Sequence, residues 1–355
     1  MPEEMSPRER LLTTCRRQRP DRVPKTLAFT PALEEEFRRR TGSDSPADYF
    51  RLEPRHVGIG PTRKVNDFSA YLAGVPGVES NDEWGVGYVP AGLYHFWGMV
   101  HPLREAASPR DIAAYPWPDV LAPYRWQHIP EAVRSWQNRG YPVCAGPPCQ
   151  LFETSWYLRG QEQLLLDFYD NPDIAVAILD TINGVMVEGA RRLAQAGVDV
   201  LSLGDDVGTQ RAMMMSPATW RQWIKPRVAQ QISAAKHIKP DLLVYYHTDG
   251  NVEPIIPDFI EIGIDILNPV QPECMDPAAI KRQYGDRLAF WGTIGTQTTM
   301  PFGTPDEVRR VVKERIETVG PEGLVLAPTH VLEPEVPWEN IVAFVEAVEE
   351  YGAVG

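Results

Sequence analysis

In the run Tyr245-Tyr246-His247-Thr248-Asp249-Gly250-Asn251, an imidazole and a carboxylate stand two residues apart, just after the apolar triplet Leu242-Leu243-Val244. An apolar triplet giving way to a polar, glycine-containing run reads as a buried strand passing into a loop, and on extended backbone residues i and i+2 share a face. Placed so, His247 and Asp249 can hold a divalent metal or exchange protons with a bound molecule. The same pair also fits a buried histidine hydrogen-bonded to a loop aspartate.

The elements that must position this pair follow a rhythm. Strands are predicted at Pro142–Gly146, Val198–Leu203, Leu242–Tyr246, Ile264–Leu267, Leu288–Trp291 and Gly323–Ala327, with helices between them, among them Trp156–Tyr169, Ile174–Ala196 and Pro217–Ile238. Strands alternating with helices at this pitch imply parallel βαβ units. Earlier in the chain, Arg8–Arg17 has helical spacing, Thr26–Phe29 reads as a strand, Pro31–Thr41 as a helix, and Ser45–Gly60 as a short helix and strand. Residues 61–124 change character: Gly and Pro crowd with Trp84, Tyr88, Tyr94, His95, Phe96, Trp97 and His101. That composition predicts an insertion of short strands and a loop, forming either the wall of a substrate pocket or a satellite core. Counting the strand near Thr26, one near Trp84 and the six from Pro142 onward gives an α/β fold with one eightfold β/α (TIM) barrel, a single domain over residues 1–355. No glycine-rich dinucleotide fingerprint follows any strand, which weighs against an open doubly wound sheet.

Barrel enzymes carry their chemistry at the carboxyl ends of the strands. Those ends supply Glu153 and Arg159, then Asp205, Asp206 and Gln210, then His247 and Asp249, then Asn268 and Cys274, then Gln297, and finally His330. His247, Asp249 and His330, with Cys274 as a fourth candidate, form a mixed nitrogen, oxygen and sulfur set suited to zinc. Asp205, Asp206 and His247 are candidate proton-handling groups, one of the two aspartates being equally suited to capping a helix. Glu153, Arg159, Gln210, Asn268, Gln297 and Trp84 are candidate substrate contacts; Arg159 could clamp an anion or form an ordinary ion pair.

Composition narrows the partners. A formal charge of -13 over 355 residues, with no long basic run, argues against nucleic acid. No stretch approaches the roughly eighteen apolar residues a membrane helix needs, and no signal-peptide segment opens the chain, so a cytoplasmic protein is expected. The four cysteines, Cys15, Cys144, Cys149 and Cys274, are irregularly spaced and read as reduced thiols.

Several runs carry a family resemblance. His247-Thr248-Asp249-Gly250-Asn251, Glu261 to Pro272, Ala327-Pro328-Thr329-His330 and Pro337-Trp338-Glu339-Asn340-Ile341 are similar to the uroporphyrinogen decarboxylase superfamily, with a weaker echo in Pro20-Asp21-Arg22-Val23-Pro24. The resemblance implies a single β/α barrel, and a homodimer is common in that superfamily. Where true decarboxylases carry an arginine-rich loop after the first strand, this chain reads Leu27-Ala28-Phe29-Thr30-Pro31. The ligand layout resembles that of the corrinoid-dependent methyltransferase branch, with His247, Asp249 and His330 standing where that branch has a His-x-Cys pair and a later Cys. Replacing both thiolates with harder groups suits oxygen-bearing substrates. The resemblance therefore implies a zinc-dependent methyltransferase moving a methyl group between a small methylated compound, O-methyl compounds included, and a corrinoid (cobalamin) on a partner protein. A decarboxylase or lyase acting on a small carboxylate is the alternative, and a non-catalytic binding barrel a third.

Overall fold

The computed structural model describes residues 4–93 and 96–354. Ten strands occur among them: β1 (Arg55–His56), β2 (Ser80–Asn81), β3 (Gly87–Leu93), β4 (Phe96–Val100), β5 (Val143–Ala145), β6 (Val200–Gly204), β7 (Leu243–His247), β8 (Ile266–Asn268), β9 (Ala289–Ile294) and β10 (Leu324–Pro328). Seven form one curled parallel sheet in the order β1-β5-β6-β7-β8-β9-β10, with a helical connection behind each step from β5 onward. This is an α/β fold of the β/α-barrel type.

Two of the strands counted from sequence are not strands of this sheet. Thr26–Phe29 makes only isolated bridges, Lys25 to Leu326 and Phe29 to Leu332. Pro24 has no N–H to donate, and the Lys25 N–H goes to the Glu53 carboxylate at 2.9 Å instead of to a neighbouring carbonyl. The segment still touches both edges of the sheet, since Leu326 N–H donates to Pro24 O (2.9 Å) and Glu53 N–H to Lys25 O (3.4 Å). The region of Trp84 forms a separate antiparallel sheet, β2-β3-β4, and the strand that pairs with β5 is β1. Tyr94 and His95 lie outside the described residues.

Side chains alternate strictly along the parallel strands. Leu201, Leu203, Val244, Tyr246, Leu267, Phe290, Leu324 and Leu326 belong to the large core beneath the helices, while Cys144, Val200, Leu243, Ile266, Ala289, Trp291, Val325 and Ala327 form a second, inner cluster. Leu11 and Cys15 of the helix Pro7–Cys15 complete that inner cluster beside the first residues of the strands. The amino end of the barrel is therefore plugged, and open space is left toward the carboxyl ends. Two predicted helices are each divided in two: Gly160, at φ 95°, separates Phe152–Arg159 from Gln161–Asp170, and a break before Pro226 separates Pro217–Trp223 from Lys225–Ile238. No helix of the described residues is long and apolar enough to cross a membrane.

Candidate active site

His247 ends β7, in register with Gly204 of β6 and Asn268 of β8. Its inward phase continues that of Leu243 and Tyr245, so the ring faces the barrel interior. Gly204 is needed there: a Cβ would stand 2.7 Å from His247 O. Beyond the strands, the loops after β6 and β7 pack backbone against backbone through Gly208 and Gly250, where an added Cβ would meet the opposite main chain at 2.5 Å. Asn251 N–H to Thr209 O (2.7 Å) and Gly250 N–H to Gln271 Oε1 (2.6 Å) lock that contact.

This packing brings Asp206 to the His247–Asp249 pair. Asp206 Oδ1 accepts the Asp249 N–H at 2.8 Å and lies 3.6 Å from His247 Nε2. One ligand atom from each of Asp206, His247 and Asp249 can be chosen so that all lie within 4.8 Å of one another. Asn268 sets the imidazole: its Nδ2 donates to Trp291 O at 2.7 Å, so its Oδ1 faces His247 Nδ1 at 2.5 Å and must accept from it. Nε2 is left with a lone pair on the side of the carboxylates.

The electrostatics favour a cation. Burial pushes the carboxyl of Asp249 up, as does Asp206, against the opposing pull of His247 and His330. Burial and Asp206 raise Glu153; burial and Glu153 raise Asp205 further. No Lys or Arg among the described residues bonds to any of these four carboxyls, and Asp249 Oδ1 is buried without a hydrogen-bond partner. Buried carboxylates without partners are costly, and a divalent ion is one way to satisfy them.

Other predicted residues have different places. Asp205 does the capping: its Oδ1 accepts the N–H groups of Phe152 (2.6 Å) and Glu153 (2.9 Å) at the start of the helix Phe152–Arg159. Glu153 Oε1 accepts from the Tyr157 hydroxyl at 2.8 Å, and its Oε2 accepts the Asp206 N–H at 3.4 Å. Arg159 is not a substrate clamp. Its guanidinium is buried, paired with Asp167 at 2.7 Å, and spends its remaining donors on the carbonyls of Leu103, Arg104 and Ala106. Gln210 Nε2 donates to Gln297 Oε1 at 2.6 Å, joining the exposed loops after β6 and β9. Trp84 is buried against Trp117 and is not part of the cavity wall. Cys274 donates to Gln271 Oε1 and, like His330, is not part of the three-residue cluster. The cluster the structure brings together therefore differs from the set expected from sequence: Asp206, two residues beyond its strand and joined through the glycine contact, stands with His247 and Asp249, while Cys274 and His330 lie outside it.

Beside the cluster lies a cavity of about 440 Å³ inside the barrel, whose wall includes His247, Asn268, Tyr245, Trp291, Ser202 and His330. It also includes His56, which sequence reasoning missed. His56 is the last residue of β1, register partner of Cys144. The signal was present, because a strand was expected in Ser45–Gly60; it was not used, because the strand count placed the second barrel strand near Trp84.

Residues 104–351 match the family model described as Uroporphyrinogen decarboxylase (URO-D). A methylcobamide:CoM methyltransferase, MtaA, of Methanosarcina barkeri is 31% identical over 182 residues, 51% of this chain and 50% of that protein. A uroporphyrinogen decarboxylase of Pelodictyon phaeoclathratiforme is 25% identical over 190 residues, 52% of this chain and 51% of that protein. The matched part spans about half the length of these curated relatives. Among solved structures, a methyltransferase from Methanosarcina mazei superposes with a TM-score of 0.68 at 20% identity, covering 98% of this chain and 99% of that one, a likeness of fold.

Proposed function

The chain belongs to the uroporphyrinogen decarboxylase family, and from that premise we propose that it is a zinc-dependent methyltransferase. It passes a methyl group between a small methylated compound, an O-methyl ether in the first instance, and a corrinoid carried on a partner protein. One observation carries the reading: Asp206, His247 and Asp249 converge at the barrel's carboxyl end with a buried Asp249 oxygen lacking any partner. One nitrogen and two carboxylates leave a fourth position open, the pattern of catalytic zinc. The methylcobamide in the name of the Methanosarcina barkeri relative supports a corrinoid as the second methyl carrier.

Zinc held by these three residues would polarise an ether oxygen or lower the pKa of a group it binds. The chain's own residues do the rest. Asn268 keeps His247 in the tautomer that offers Nε2. Asp205, anchored on the helix Phe152–Arg159, fixes the backbone from which Asp206 projects. The cavity wall orients the substrate and excludes water. Decarboxylation of a small carboxylate is less well served, because no Lys or Arg is among the described residues lining the cavity and Arg159 is committed to Asp167.

Elemental analysis of protein purified without chelator tests the reading. About one zinc per chain is expected, lost in His247→Ala and Asp249→Ala and kept in Cys274→Ser. A metal-free, fully folded wild-type protein would overturn it. Release of carbon dioxide from small carboxylates by such a protein would move the assignment to the carboxy-lyase class.

A further inference from the structure

The antiparallel sheet ends at β4, which pairs on one side only, with β3. The register fixes which main-chain groups face outward. Pro90 stands opposite Trp97 and has no N–H, so these two do not exchange hydrogen bonds, and by alternation neither do Tyr88 and Met99. The Tyr88 carbonyl agrees: it turns away from β4 and accepts the Glu79 N–H at 3.0 Å. Gly98 and Val100 therefore bond to β3, while the N–H and C=O groups of Trp97 and Met99 point out from the free edge. No described residue bonds to them. The side chains of the same two residues are exposed, 46% for Trp97 and 36% for Met99, and, two apart on one strand, they share a face.

The two edges of this hairpin differ. Beyond β2, the outer edge of β3 carries Pro90, and a proline there blocks a further strand. The β4 edge, Phe96–Val100, has neither a proline nor a charge. Residues 84–103 contain no Asp, Glu, Lys or Arg, although these make up 23% of the chain. On a molecule of formal net charge -13, such a stretch is where a second copy meets least repulsion.

We propose that β4 is a self-association edge: two copies of this chain pair their β4 strands antiparallel about a twofold axis at Gly98. In that register Trp97 lies opposite the partner's Met99, and Met99 opposite the partner's Trp97. It is the register in which both outward-facing residues meet partners within β4. Each such pair exchanges both of its main-chain bonds, which the outward N–H and C=O groups are placed to make. On the exposed face the Trp97 ring packs on the thioether of the partner's Met99. Gly98, at the axis, presents no side chain to its copy. Because the same patch serves both copies, the contact closes at two.

Sedimentation equilibrium of the full chain tests this, with circular dichroism on each variant. The wild type is expected to reach twice the chain mass by about 10 µM and to go no higher. In Trp97→Glu/Met99→Glu, like charges oppose each other at both pairs, and the dissociation constant should rise about a hundredfold or more. In Trp97→Lys/Met99→Glu, opposite charges face each other instead, and most of that loss should be recovered. Both positions are exposed in the single chain, so either variant should fold. A wild type that stays monomeric would overturn the proposal and leave the edge to a strand of another protein. A dimer that survives Trp97→Glu/Met99→Glu would also overturn it, since that dimer would use another surface. So would a failure of the opposite-charge variant to recover, or a mass that keeps growing with concentration. None of these readouts depends on a metal or a corrinoid.

Discussion

At the scale of single residues, the site depends on which nitrogen of His247 is free, and Asn268 decides it. Because the Asn268 amide is held by Trp291 O, its oxygen can only accept from Nδ1, and Nε2 is left facing the carboxylates. Removing such a partner of a ligating histidine weakens metal binding without removing a ligand. Asn268→Ala is therefore expected to lower zinc affinity by about 10–100-fold, measured by competition with a chelator, with the fold intact. An unchanged affinity would show that the imidazole is oriented by something else. His247 and Asp249 were legible in the sequence because both lie in one phase of one strand end, a local property. Asp206 was legible as a strand-end carboxylate, but its meeting with Asp249 depends on Gly208 and Gly250. Cys274, His330 and Arg159 could not be placed from sequence, since loops and distant partners such as Asp167 fix their side chains.

At the scale of elements, the helix Pro7–Cys15 closes the barrel end opposite the site. Ser6 and Glu9 form a reciprocal capping box, Pro7 starts the helix, and Leu11 and Cys15 enter the inner cluster. Arg10 ties the helix to the sheet: it donates to Asp21 at 2.7 and 2.8 Å and to Glu53 at 3.2 Å. Burial by itself would raise the Asp21 carboxyl, but the bonds from Arg10 and the backbone hold it below the ordinary value. A carboxyl whose folded pKa lies below its unfolded one adds stability above the unfolded value, about 3.9, and loses it as pH falls through the folded value. Asp21→Asn should thus cost about 1–2 kcal/mol near neutral pH. The difference in melting temperature from wild type should narrow below about pH 5 and vanish in stronger acid; a difference independent of pH would mean that Asp21 contributes through shape alone. Helix existence was legible from periodicity, whereas the divisions at Gly160 and before Pro226 show how one residue's backbone chemistry overrides a continuous pattern.

At the scale of the molecule, the alternating strands and helices made a parallel β/α sheet legible, but not how its edges meet. The edge segment Pro24–Phe29 is proline-bracketed, and its bridges to Leu326 and Leu332 depend on residues some 300 positions away in the sequence. The change of composition over residues 61–124 was legible, and the side chains there share the core of the parallel sheet. Phe68, Trp84, Val86 and Tyr115 belong to the same buried cluster as Ile178, Leu179 and Leu201 of the barrel. A perturbation within residues 61–124 should therefore be felt by the whole fold. Gly85 offers a clean one: it sits at φ +84°, and an added Cβ would run into the Tyr115 hydroxyl and the Phe68 ring. Gly85→Ala combines a left-handed backbone with overpacking, which together cost about 2–4 kcal/mol. Scanning calorimetry should show one shared transition displaced downward by a few degrees. A new low-temperature transition with the main one unmoved would instead show that residues 61–124 melt independently, and that the shared core does not couple them to the barrel.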